Sequence, residues 1–91
     1  LKKQPAPKNL LGPALKELRL SLGWTLGDAS ARLRQAGMSC TAQKLDRIER
    51  QQRCLHDFEI LYFCELLGVT QDELGERLKQ AMVRRPRRRR K

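Results

Sequence analysis

The chain has 91 residues, enough for one domain with a modest helical core and too few for several. It carries 20 Lys and Arg against 10 Asp and Glu, a formal net charge of +10, which favours a polyanionic partner if that charge gathers on one surface. The longest continuous apolar run, Ile60 to Cys64, falls far short of the ~20 residues of a membrane span, so no bilayer crossing is expected.

In chain order, residues 1–9 read as a basic N-terminal arm that carries Lys2, Lys3 and Lys8 and no acid. Residues 10–83 form the domain. Their ten bases balance their ten acids, so any preference of this body for nucleic acid must come from where its charges point. Residues 84–91, RRPRRRRK, hold Arg84, Arg85, Arg87, Arg88, Arg89, Arg90 and Lys91 and read as a disordered Arg-rich tail. The whole charge excess therefore lies in the two ends.

Within the body every segment reads helical, because apolar residues recur at three and four and no alternating run with hairpin chemistry appears. Gly12-Pro13 opens a first helix over about Pro13–Leu22, with a Leu15, Leu18 and Leu22 stripe and Gly23 as its stop. Thr25 and Asp28 form a capping box for a second helix, with Leu26, Ala29, Leu33 and Ala36 on one face and Gly37 at its end. Ser39 caps a third helix, in which Leu45 and Ile48 face inward while Gln43, Lys44, Asp46, Arg47 and Arg50 face outward or sideways. Asp57 caps a fourth helix that runs through Leu67 to Gly68, with Phe58, Leu61, Phe63, Cys64 and Leu67 as core candidates. Thr70-Gln71-Asp72-Glu73 is a second capping box and opens a fifth helix with Leu74 and Leu78. The expected class is all-α, with five short helices and two tails.

Cys40, Cys54 and Cys64 are an odd number without paired spacing and are expected to be reduced. Cys54-Leu55-His56 offers one Cys and the only His, with no second ligand pair, so neither a metal site nor another cofactor is expected. The lone His56, the lack of a Gly-rich phosphate loop and the lack of convergent carboxylates argue against an enzyme. Neither end carries the apolar segment and cleavage site of a signal peptide, and the expected location is the cytoplasm, at the nucleoid.

The order of these parts resembles the helix-turn-helix domain of the Cro and lambda-repressor family, also called the xenobiotic-response-element type, over about residues 10–78. The likeness rests on LKELRLSLGWTLGDAS in helices one and two, LDRIER near the end of helix three, and LYFCELLGVTQDEL at the close. It implies a compact five-helix DNA-binding domain and an ion pair between Arg19 of helix one and Glu49 of helix three. A planar guanidinium matched to a carboxylate suits that role on physical grounds too. The chain departs from the family pattern in three places. Ser30 and Arg34 stand where the family has a small Ala and a Gly, and the glycine comes at Gly37, which implies that helix two is about one turn longer. Leu26 replaces a polar residue that touches phosphate. Gln51 replaces the Gly that follows helix three.

In such a domain the second helix of the motif enters the major groove. The resemblance places Ala42, Gln43, Lys44 and Arg47 at groove-facing positions. Gln pairs with adenine and Arg with guanine in bidentate fashion, so Gln43 and Arg47 are the leading base readers, with Ala42 against a thymine methyl and Lys44 at guanine or phosphate. Thr25, Arg50, Gln52 and Arg53 flank them as phosphate contacts. Asp46 is expected to pair with Arg50 at i+4. For the tail, a non-specific DNA arm ranks ahead of a localisation signal, an RNA-binding arm or a solubility tail. Cys40, near the start of helix three, is read as an inert thiol ahead of a redox switch. A homodimer on double-stranded DNA is expected, with Leu74, Leu78 and Met82 of helix five as its contact. The alternative function is an antitoxin-like module whose helical surface covers a protein partner, with DNA binding secondary.

Overall fold

The computed structural model describes residues 6–84, the last of them in backbone only. Five helices follow in order: α1 Gly12–Ser21, α2 Leu26–Ala36, α3 Ala42–Glu49, α4 Asp57–Leu67 and α5 Gln71–Arg84. No strand occurs among the described residues, and no helix there is long and apolar enough to cross a membrane. The calls made for Lys2, Lys3, the Arg84 side chain, Arg85, Arg87, Arg88, Arg89, Arg90 and Lys91 lie outside the described residues.

One core joins the helices. Leu15 of α1, Ala29 and Leu33 of α2, Leu45 and Ile48 of α3, Phe63, Cys64 and Leu67 of α4 and Leu74 of α5 are all buried in it. Cys40 is buried with them, and burial pushes its thiol pKa up, as it does for Cys64; the reactive reading of Cys40 loses its basis, because the thiolate is disfavoured there.

Start signals behave as their chemistry requires. The Thr25 hydroxyl accepts from the Asp28 N–H at 3.0 Å while the Thr25 N–H donates to the Asp28 carboxylate at 3.0 Å, and Thr70 and Glu73 repeat the arrangement for α5. Two caps fall elsewhere than expected. Thr41, not Ser39, caps α3, its hydroxyl accepting from the Lys44 N–H at 3.0 Å. Met38 and Cys40 both reach into the core, so the chain stays extended two residues further before it can coil. In α4 the cap position is His56 and Asp57 is already helical; the His56 N–H donates to the Glu59 carboxylate at 3.0 Å.

A second correction concerns the buried face of α4. Phe58 and Leu61, expected in the core, are 56% and 51% exposed. Stepping back by four from Leu67 and Phe63 leads to Glu59, so the buried stripe of α4 runs through a carboxylate and leaves Phe58 and Leu61 on the outer side. In α5, Leu74 is buried and Leu78 packs against the core, so of the stripe assigned to a dimer contact only Met82 remains exposed, next to the exposed Val83.

The longer α2 ends at Gly37 in the left-handed conformation, φ 111°. Arg34 then bridges the bend: its guanidinium donates to the Cys40 carbonyl at 2.7 Å, tying the end of α2 to the approach of α3. Gln51, where the resemblance led to the expectation of a glycine, adopts φ 65° itself, a conformation that costs about 1–2 kcal/mol for a residue with a side chain. Its side-chain amide donates to the Asn9 carbonyl at 3.0 Å, and its own carbonyl accepts from the Lys8 N–H at 3.0 Å. Lys8 and Asn9, read as part of a basic arm, are therefore hydrogen-bonded to the turn after α3.

Candidate nucleic-acid interface

The outward row of α3 is short. Gln43 and Arg47 are exposed and four residues apart, hence on one face, with Ala42 half-buried beside them. Among the described residues neither Gln43 nor Arg47 has a side-chain hydrogen-bond partner. Directly beneath, Leu45 is 1% and Ile48 0% exposed, so the row is carried on two fully packed side chains rather than on a loop.

The C-terminal end of α3 is held by Arg19. Its Nε and Nη2 donate to the two Glu49 oxygens at 2.7 and 3.0 Å, and its Nη1 donates to the Trp24 carbonyl at 2.7 Å. The hydrogen bonds to Glu49 raise the Arg19 pKa further against the opposing effect of burial. With the carboxylate nearly enclosed, this is a two-pronged lock between α1, α3 and the α1–α2 turn. Gly12 lets α1 come that close: a Cβ there would run into the Ile48 carbonyl and stand 2.8 Å from the Glu49 carbonyl. Asn9 completes the junction. Its side-chain amide donates to the carbonyls of Ile48 and Arg53 at 3.0 and 2.8 Å, while its oxygen accepts from the Gly12 N–H at 2.7 Å.

The flanks differ in how free they are. Arg50 pairs with Asp46 at 3.1 Å in the open, an i,i+4 contact that a phosphate can replace at little cost. Gln52 and Arg53 are exposed on the turn after α3. Thr25 starts α2, where free N–H groups favour an anion, but the Asp28 carboxylate already sits on the Thr25 N–H and would repel a phosphate oxygen nearby. Trp24, half-buried before α2, carries Arg32 on its face, 4.4 Å from the ring centroid.

Lys44 is engaged inside the protein. Its ammonium contacts a Glu59 oxygen at 3.0 Å and donates to the Ser39 carbonyl at 2.9 Å, so it points along the side of α3 toward α4 rather than with Gln43 and Arg47. Sequence reasoning gave no role to Asn9 or Glu59, and it noted Arg34 only as a departure from the family pattern. Asn9 stands three residues before Gly12, a spacing that signals a side-chain turn, and Glu59 stands three after the true cap, His56. Arg34 offered no local signal, because its partner is a carbonyl beyond the turn.

No curated protein and no solved structure matches the chain. Residues 10–77 match the family described as "Helix-turn-helix domain", a span that takes in all of α1 to α4 and the first half of α5. With most of its length so matched, and with α2 and α3 joined by the short bend at Gly37 and Met38, the chain belongs to the helix-turn-helix domain family.

Proposed function

We propose that this chain binds double-stranded DNA sequence-specifically as a repressor-like transcriptional regulator, with α3 in the major groove. The observation that carries the reading is the outward row of Gln43 and Arg47, without side-chain partners among the described residues, on a helix whose opposite side is locked by Leu45, Ile48 and the Arg19–Glu49 pair. In this reading Gln43 pairs with adenine and Arg47 with guanine, each worth ~1–3 kcal/mol of discrimination, and Ala42 meets a thymine methyl. Arg50, Gln52 and Arg53 hold phosphates and set register, whereas Thr25, beside the Asp28 carboxylate, does not take part. Residues 84–91 add non-specific attraction, each neutralised phosphate steepening the fall of log K with log salt by about 0.9. Two copies bind a pseudo-palindrome with their α3 helices about 34 Å apart.

Supporting the rival reading, a module that covers a protein partner, are the exposed Phe58 and Leu61 on α4. Selection from random duplexes decides between them. Enrichment of one motif, with a footprint of two half-sites, is the expected result; a chain that enriches nothing overturns the proposed function.

A further inference from the structure

The Arg19–Glu49 lock sits at the last residue of α3, whereas the base-reading row begins at its first turn. Something else must orient that turn. The Thr41 cap satisfies a backbone N–H and, being local, does not tie that turn to another helix. The contact between the first turn of α3 and α4 that constrains direction is the Lys44 ammonium on Glu59.

Glu59 is unusual in its placement. It is 2% exposed, in the buried stripe of α4, and both of its oxygens are used: one accepts from the His56 N–H at 3.0 Å, the other meets Lys44 at 3.0 Å. A cap of α4 alone would not need a buried carboxylate, since a hydroxyl or an exposed Glu serves at such positions, as Glu73 does in α5. A carboxylate is tolerated in the interior when a charge partner compensates it. Lys44 in turn spends a second hydrogen bond on the Ser39 carbonyl, which joins the α2–α3 turn to the same point.

We propose that Lys44 and Glu59 are positioning residues: a strut from α4 through Lys44 to the α2–α3 turn that aims the first turn of α3, so that sequence discrimination by Gln43 depends on a glutamate that touches no DNA. The inference rests on the DNA-binding reading above. It also gives Lys44 a role other than base contact.

The test measures the affinity of the full chain for its selected duplex and for a scrambled duplex, in wild type, Glu59→Gln, Lys44→Met, the double variant and Lys44→Arg, across a salt series and with helical content checked by circular dichroism. In Glu59→Gln the ratio of the two affinities falls about tenfold, the loss of one well-aimed base contact. The freed ammonium meanwhile steepens the salt slope by about 0.9. Lys44→Met lowers the ratio alike without the steeper slope, the double variant is no worse than either single one, and Lys44→Arg, which keeps a cation for Glu59, retains most of the ratio. A structural loss alone would weaken both duplexes equally, and that result overturns the proposal. So does a Glu59→Gln chain with an unchanged ratio, or a Lys44→Arg chain that loses as much as Lys44→Met. If Glu59→Gln does not fold, the two Lys44 variants decide by the same criteria. A wild-type chain that enriches no motif removes the DNA-binding reading itself, an outcome distinct from specific wild-type binding with indifferent variants.

Discussion

The two sides of α3 carry the same kinds of residue in opposite circumstances. On the inner side Arg19 and Glu49 are 8% and 3% exposed and share two hydrogen bonds; on the outer side Arg50 and Asp46 are 67% and 37% exposed and share one. Both are Arg–carboxylate pairs. Water screens the outer pair and pays back most of what breaking it would lose, whereas the inner pair has no such substitute. The inner side therefore acts as scaffold and the outer side stays available to a partner.

Disturbing the inner pair should cost the fold most. Arg19→Met or Glu49→Gln should each destabilise the fold by about 3–5 kcal/mol, and the double variant should lose less than the sum, because no uncompensated charge remains. Urea denaturation of the four proteins measures it; additive losses would mean that the pair is not coupled. Next in size is Gly12→Ala. A methyl group there meets the backbone carbonyls of α3, which cannot swing away as a side chain can, and a cost of about 1–3 kcal/mol in the same assay is expected.

Acid sharpens the picture at the other end of α3. Burial opposes ionisation of Glu59, but the His56 N–H and the Lys44 ammonium outweigh it and hold its pKa below the usual glutamate range. The Thr25 backbone and hydroxyl likewise hold Asp28 below the usual aspartate range. A carboxyl whose folded pKa is depressed takes up protons more readily when unfolded, so its contribution to stability is present above the unfolded pKa of about 4 and is lost as pH falls through the folded value. Glu59→Gln should therefore flatten the acid limb of a plot of melting temperature against pH, while leaving its shape above pH about 6 unchanged. The smallest effect belongs to the outer pair: Asp46→Ala should change stability by only about 0.3–0.5 kcal/mol.

Much of this scaffold was legible in the sequence because it is written in local spacing. The capping boxes at Thr25 and Thr70, the left-handed stops at Gly37 and Gly68, and the buried Leu45 and Ile48 each depend on neighbours within one or two turns. The Arg19–Glu49 pair spans thirty residues and was accessible through family likeness together with guanidinium geometry. What escaped depends on the path of the chain in space. Phe58 looks like core until the buried stripe of α4 is traced through Glu59, and Lys44 looks like a reader until α4 brings that carboxylate alongside. Gln51 shows the reverse: the missing glycine left the turn undecided, and the turn is kept by a strained residue whose side chain gains a partner in Asn9. On the outer row, exposure is visible and partner chemistry is not.

Whether the outer row of α3 reads bases is decided by parallel selection from random duplexes with the wild-type chain, Arg47→Ala and Arg53→Ala. Arg47→Ala is expected to relax preference at one base pair, by ~1–3 kcal/mol, and to leave the remainder of the motif intact, while Arg53→Ala weakens binding to all sequences alike and leaves the motif unchanged. An Arg47→Ala chain that selects the wild-type motif with undiminished discrimination at every position would contradict that role of the outer row.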